Sequence, residues 1–156
     1  MNTNTQTQAQ TSGAQQLAEY ARDGMFARDR AAHGLKMRIT HIAPGQATVE
    51  MPVRDDMLNG FDICHGGFIT TLGDTAFAYA CNSYNEMTVA SGLSVDFVAP
   101  GRPGDVLVAE AKEVSQAGRT GVYDVTISNQ KGEVIALFRG RSYRMKGKPT
   151  VPEKKA

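Results

Sequence analysis

Residues 59–74 read N-G-F-D-I-C-H-G-G-F-I-T-T-L-G-D. The first half, through Cys64, has no hydrophobic period and is rich in turn formers, so it reads as a loop. From His65-Gly66-Gly67 onward the pattern turns helical. Phe68, Leu72, Ala76 and Tyr79 fall on one face, while Thr70, Thr71, Asp74 and Ala78 fall on another. The helix is expected to run from about Phe68 to Asn82. Gly73, Ala76, Ala78 and Ala80 make its surface small-sided, so a sheet can curl closely around it.

Outward from this helix the period is that of strands. Upstream, Leu35, Met37 and Ile39 alternate with Lys36, Arg38 and Thr40. Pro44-Gly45-Gln46 marks a turn, and Ala47–Val53 completes a hairpin. Downstream, Met87–Val98, Asp105–Gln116, a segment in which Tyr123, Val125 and Ile127 alternate with polar residues, and Val134–Met145 read as four more strands. Pro100-Gly101, Pro103-Gly104, Gly118 and Lys131-Gly132 separate them. A helix is expected over Leu17–Ala32, stopped by Gly34. Residues 1–16 carry no charge and read as a disordered polar tail, 17–146 as a single domain, and 147–156 as a frayed tail. The order, helix, two strands, long helix, four strands, is an α+β pattern: a mostly antiparallel sheet with a helix on one face.

Composition narrows the function classes. The chain has 156 residues, enough for one domain with a core of its own. Seventeen Lys+Arg against sixteen Asp+Glu give +1, a poor balance for a general nucleic-acid binder. No apolar run approaches the roughly 20 residues of a membrane-spanning helix, and the N-terminus lacks the features of a secretory signal. Two cysteines and three histidines make neither a disulfide framework nor a metal cluster, so no metal and no cofactor are expected, and a reducing cytoplasm is the default location. Phosphate-cradling glycine motifs are absent. Gly92-Leu93-Ser94-Val95-Asp96 misses the nucleophile-elbow pattern by its last glycine. A Cys64–His65 nucleophile is disfavoured because adjacent side chains rarely face each other.

The chemistry points to Asn59–Asp74. Backbone N–H groups at a helix N-terminus lack intrahelical partners and carry the positive dipole end. Glycines there let a substrate approach, which makes Gly66 and Gly67 candidate oxyanion donors. Asp74, a poor helix former two turns on, needs a reason to be there. Each residue also has a plainer reading: the glycines as a tight turn, His65 as a satisfied histidine, Asn59 as a turn former, Asp74 on a solvated face. At about 1.5 Å rise per residue, Asp74 lies about 10 Å along the axis from its own Gly67. One reacting carbonyl cannot meet both. If both act on one bond, they come from two chains, which predicts a dimer with antiparallel helices and shared sites.

The segments LNGFDICHGG, GDTAFAYACNS, VDFVAPGRPGD, GRTGVYDVTISNQ and ALFRGRSYR resemble the hotdog-fold thioesterases, and more closely the phenylacetic-acid-degradation type. The similarity spans roughly Leu35–Arg144. It implies a long central helix wrapped by a five- to six-stranded antiparallel sheet, dimers pairing their sheets edge to edge, and tetramers as the usual assembly. It implies hydrolysis of an acyl-CoA thioester, with aryl-acetyl groups such as phenylacetyl or hydroxyphenylacetyl as the acyl part. Coenzyme A is then substrate, not cofactor. Asp74 matches the catalytic carboxylate, Gly66 or Gly67 the oxyanion donor, and Asn59 and His65 the orienting polar residues. Ser91 is the nearest candidate for a water-holding hydroxyl. Phe61, with Phe68, Phe77 and Tyr84, is a candidate wall of an acyl pocket. Arg139 and Arg141, with Arg144 and Lys146 beyond them, are candidates for the nucleotide phosphates, as are Arg102 and Arg119. The rival expectation is a hotdog module that binds acyl-CoA without hydrolysing it.

Overall fold

The computed structural model describes residues 3–152, with the helical backbone alone for residues 3–12. Helix α1 spans Thr3–Phe26, α2 spans Arg30–Gly34 and α3 spans Gly66–Asn82. The strands are β1 (Arg38–Ala43), β2 (Gln46–Pro52), β3 (Glu86–Phe97), β4 (Val106–Ala117), β5 (Thr120–Ser128) and β6 (Val134–Pro149). They form one antiparallel sheet in the order β1-β2-β4-β5-β6-β3. Helix α3 touches all six strands and lies in the trough of the sheet.

The core lies between α3 and the sheet. Leu72, Gly73, Ala76, Phe77, Tyr79 and Ala80 are buried on the helix side. They meet Val49 and Met51 of β2, Leu107 and Ala109 of β4, Tyr123, Val125 and Ile127 of β5, and Phe138 of β6. Strand β5 buries every second residue, as its alternation predicts. The small residues of α3 let the sheet approach. A Cβ on Gly73 would lie 2.9 Å from Phe138, and one on Gly140 would lie 2.8 Å from the Phe77 ring. Phe77 itself packs on Tyr123 and Phe138 at centroid separations of 5.5 and 6.0 Å. The two buried tyrosines are satisfied: Tyr123 donates to Glu113 at 2.8 Å, and Tyr79 donates to Asp29 at 3.0 Å.

Three sequence expectations need correction. The helix expected over Leu17–Ala32 breaks at residues 27–29, because Asp29 caps a new helix by accepting from the Ala32 N–H at 3.0 Å. The stretch read as a disordered tail is helical from Thr3. With Ala18 and Ala21 buried, the helix is already nucleated, and each further residue costs only propagation. Residues 1–2 lie outside the described residues. The C-terminal segment read as frayed is pinned as far as Pro152. Val151 N–H donates to Asn85 Oδ1 at 2.8 Å, Thr150 Oγ1 to Asn82 Oδ1 at 2.8 Å, and Tyr20 to the Pro152 carbonyl at 2.9 Å. Residues 153–156 lie outside the described residues.

Strand β3 is an edge. It pairs with β6 on one side and with nothing among the described residues on the other, although it is 12 residues long. Val89, Leu93 and Phe97 stand 48%, 38% and 52% exposed along it. A long apolar edge of this kind invites a further strand.

Gly140→Ala tests the close packing of α3. A methyl there meets a ring that is itself enclosed, so the substitution should destabilise the fold by about 1–3 kcal/mol in denaturant titrations. An unchanged midpoint and slope would show that the core can yield at this point.

Candidate active site

The loop from Arg54 to Cys64 is shaped by its own polar groups. One turn of 3-10 helix occupies Asp55–Met57. Asn59 Oδ1 accepts from the Phe61 N–H at 2.9 Å and from the Ile63 N–H at 3.4 Å, so this carbonyl folds the loop. The Cys64 N–H is fixed to the Gly101 carbonyl and the His65 N–H to the Met57 carbonyl, both at 2.8 Å. These bonds aim residues 65–67 into the mouth of α3.

His65 is the N-cap. Its backbone is extended (φ −59°, ψ 132°), and its Nδ1 accepts from the Gly67 N–H at 2.9 Å. An imidazole nitrogen that accepts carries no proton, so the ring's proton resides on Nε2. The Gly67 donor is therefore already used. The Gly66 N–H meets no acceptor among the described residues. Of the two glycines, Gly66 presents the free amide. Thr70 and Thr71 do not compete for a ligand here, since each hydroxyl donates back to the carbonyl four residues earlier at 2.8 Å.

Beside Gly66 lies an open hollow of about 350 Å³, lined by Asn59, Phe61, His65, Gly66, Ile69 and Phe97 and floored by Ala99–Gly101 and Cys64. A Cβ on Gly66 would sit 2.8 Å from the tip of the Phe97 ring. Glycine lets that ring lie against the Cα, and a larger residue there would push the half-exposed ring aside. The structure thus brings together Asn59, Phe61, His65 and Gly66, and adds Phe97, which the sequence reading did not single out. The signal for it was present in VDFVAPG, a strand ending beside a Pro-Gly turn.

Asp74 does not line this hollow. It sits half-buried in the middle of α3 and makes no hydrogen bond or ion pair among the described residues. Burial holds its carboxyl above the ordinary carboxylate range. A desolvated, unpaired carboxylate is costly in a fold and is the kind of group a reaction uses. Ser91 is exposed at a bulge of β3, and its hydroxyl donates to the Arg141 carbonyl at 3.1 Å. Arg139 is committed: its guanidinium makes two bonds to Asp124, at 2.6 and 2.8 Å. Arg141 lies over Gly92, exposed. Arg144 stacks on Tyr84 at 5.2 Å from the ring centroid, and Arg119 donates to Tyr143 at 3.0 Å. Phe77 and Tyr84 are not pocket walls: Phe77 is core, and the Tyr84 hydroxyl donates to Glu113 at 2.9 Å.

The cysteine route loses its footing. Burial pushes the Cys64 thiol up to about 11, and His65 Nδ1 is turned to Gly67. Ser94 lies within a strand opposite Arg139, not on a strand-to-helix elbow. No cluster of His, Cys, Asp or Glu fit for a metal occurs among the described residues, and none of their helices is long and apolar enough to cross a membrane.

Residues 61–136 match the Thioesterase superfamily. The chain is 47% identical over 123 residues to the acyl-coenzyme A thioesterase PaaI of Escherichia coli, covering 79% of this chain and 88% of that one. The chain belongs to the thioesterase superfamily. It is a thioester hydrolase with the hotdog fold that its sequence resembles. The solved structure of the E. coli PaaI protein from the phenylacetic acid degradation operon superposes with a TM-score of 0.84 at 44% identity, over 86% of this chain and 97% of that one. A Streptococcus mutans protein solved with acetyl CoA bound is 27% identical with a TM-score of 0.68, over 70% of this chain and 88% of that one.

The burial of Asp74 also bears on stability. The folded carboxyl binds its proton more tightly than the unfolded one, so the fold gains nothing from ionisation and bears its desolvation cost. That cost is absent below the unfolded value of 3.8 and grows as pH rises toward the raised folded value. Asp74→Asn should therefore melt at a higher temperature than the parent at neutral pH, with the gap closing as pH falls toward 3.8. Equal melting at every pH would contradict a buried charge at this position.

Proposed function

We propose that this thioesterase hydrolyses acyl-CoA, with aryl-acetyl groups as the acyl part. It works as a homodimer in which each site takes the Gly66 amide from one protomer and Asp74 from the other. The observation that carries this reading is a pair of unsatisfied groups on one rigid helix: a free N–H at the α3 terminus, opening on an apolar hollow, and an unpaired carboxyl two turns on. Eight residues of helix separate them by about 12 Å, too far for one carbonyl. The unpaired β3 edge, with its exposed Val89 and Leu93, supports a two-fold partner that brings a second α3 alongside. Exposed Leu137 and Tyr143 on the neighbouring β6 suit a further dimer, giving a tetramer.

The thioester carbonyl accepts from the Gly66 N–H, reinforced by the helix dipole. Asp74, ionised, then takes one of two routes. It removes a proton from water as the hydroxyl oxygen adds to the acyl carbon. Otherwise it attacks that carbon itself, forming a mixed anhydride that water later opens. In both routes the C–S bond breaks, coenzyme A leaves as its thiolate and takes up a proton, and the acid is released. A thiolate is a good leaving group, so its departure requires less acid catalysis than that of an amine. His65 and Asn59 are positioning residues: one occupies the Gly67 donor, the other folds the loop. With Arg139 held by Asp124, Arg141 is the more available guanidinium for the nucleotide phosphates.

Thiol release measured over a panel of acyl-CoAs tests the reading. Asp74→Asn should lose roughly 10²–10⁴-fold in turnover while keeping its fold and assembly. In the parent, kcat should fall on the acid side at a pH above 3.8, because burial raises the group that must be ionised. Near-normal turnover by Asp74→Asn would remove Asp74 from the mechanism. Acyl-CoA binding without thiol release in the parent would favour the non-catalytic module.

A further inference from the structure

Phe97 closes β3 and stands 52% exposed, with the tip of its ring against the Cα of Gly66. Phe61, on the loop and lining the same hollow, is 84% exposed. Two large exposed aromatic side chains lining one cavity make an apolar patch of the kind that marks a binding site. The cavity is of the size small-molecule sites have, about 300 Å³ and upward. Its acceptors on Asn59 and His65 are engaged, Asn59 Oδ1 by two loop amides and His65 Nδ1 by Gly67, while most of the remaining wall is carbon from Phe97, Phe61, Ile63 and Ile69.

A substrate with its carbonyl on the Gly66 amide has two ends. One is the coenzyme arm, whose amides need hydrogen-bond partners. The other is the acyl group, which is apolar. A hollow walled by Phe97, Phe61 and Ile69 suits the apolar end. Aromatic walls further favour a ring over a straight chain, since stacked or edge-on ring pairs gain beyond their buried area.

We propose that Phe97 is the residue that selects the acyl group, its ring forming the wall against which an aromatic acyl substituent packs beside the Gly66 amide. The inference rests on the thioesterase reading above and goes beyond it by assigning the specificity to one side chain. Phe97 is the last residue of an edge strand and is not in the core, so its truncation leaves the fold intact.

The test compares kcat/KM for phenylacetyl-CoA and hexanoyl-CoA in the parent, Phe97→Ala and Phe97→Leu, with assembly checked by size-exclusion chromatography. Phe97→Ala should lower the phenylacetyl-to-hexanoyl ratio roughly tenfold or more, and Phe97→Leu, which keeps an apolar wall but no ring, should fall between. An equal loss on both substrates would place Phe97 against the coenzyme arm they share and overturn the proposal. An unchanged ratio in both variants would overturn it as well. If the parent releases thiol from neither substrate nor any other acyl-CoA, the acyl-CoA reading itself fails, a result distinct from either of those.

Discussion

Helix α3 carries both groups on which the proposed reaction depends, and its rigidity keeps them apart. The backbone amide at Gly66 and the carboxyl at Asp74 are fixed by helical rise at about 12 Å. No side-chain rotation brings them to one atom. Much else in the molecule follows from this constraint. The sheet must wrap α3 closely enough to hold it, yet leave its N-terminus and the Asp74 face uncovered. Gly73 and Gly140 allow the close approach, and the free β3 edge leaves room for a second chain. Asp74 remains half-buried with no hydrogen-bond or ion-pair partner among the described residues.

The helix terminus is set up by economical means. His65 uses one ring nitrogen to take up the Gly67 amide and so leaves a single donor, Gly66, pointing out of the helix. An amide held by a helix and a bonded loop is already oriented when charge develops on a carbonyl oxygen, which is how such donors lower a barrier. Asp74 makes the opposite trade. Its carboxyl is kept where ionisation is disfavoured, which costs stability and makes it a stronger base when ionised.

Much of the fold was legible because it rests on period and punctuation. The alternation Tyr123, Val125, Ile127 gave β5, and His65-Gly66-Gly67 marked the start of α3 to within a residue or two. The candidate site was legible where it rests on a backbone group, since glycine before a helical pattern is a local signal. Roles set by tertiary partners were not. Nothing local says that Asn59 turns its carbonyl to its own loop, that Arg139 is claimed by Asp124 across the sheet, or that Phe97 lies on Gly66. The termini failed for the same reason. Polar composition hid a helix whose nucleus is Ala18 and Ala21, and a lysine-rich tail hid Val151 and Pro152 docking on Asn85 and Tyr20.

The shared site is most directly tested by mixing two inactive chains. Asp74→Asn removes the base. Gly66→Pro removes the amide proton at the first helix position, after a His65 backbone already in the extended region, and its added Cβ displaces only the half-exposed ring of Phe97. In a heterodimer of the two, one site would carry both lesions and the other neither. Co-refolded chains should therefore regain thioesterase activity that neither variant shows alone, in step with heterodimer formation. Verified heterodimers with no more activity than the separate variants would mean that Gly66 and Asp74 do not meet across two chains.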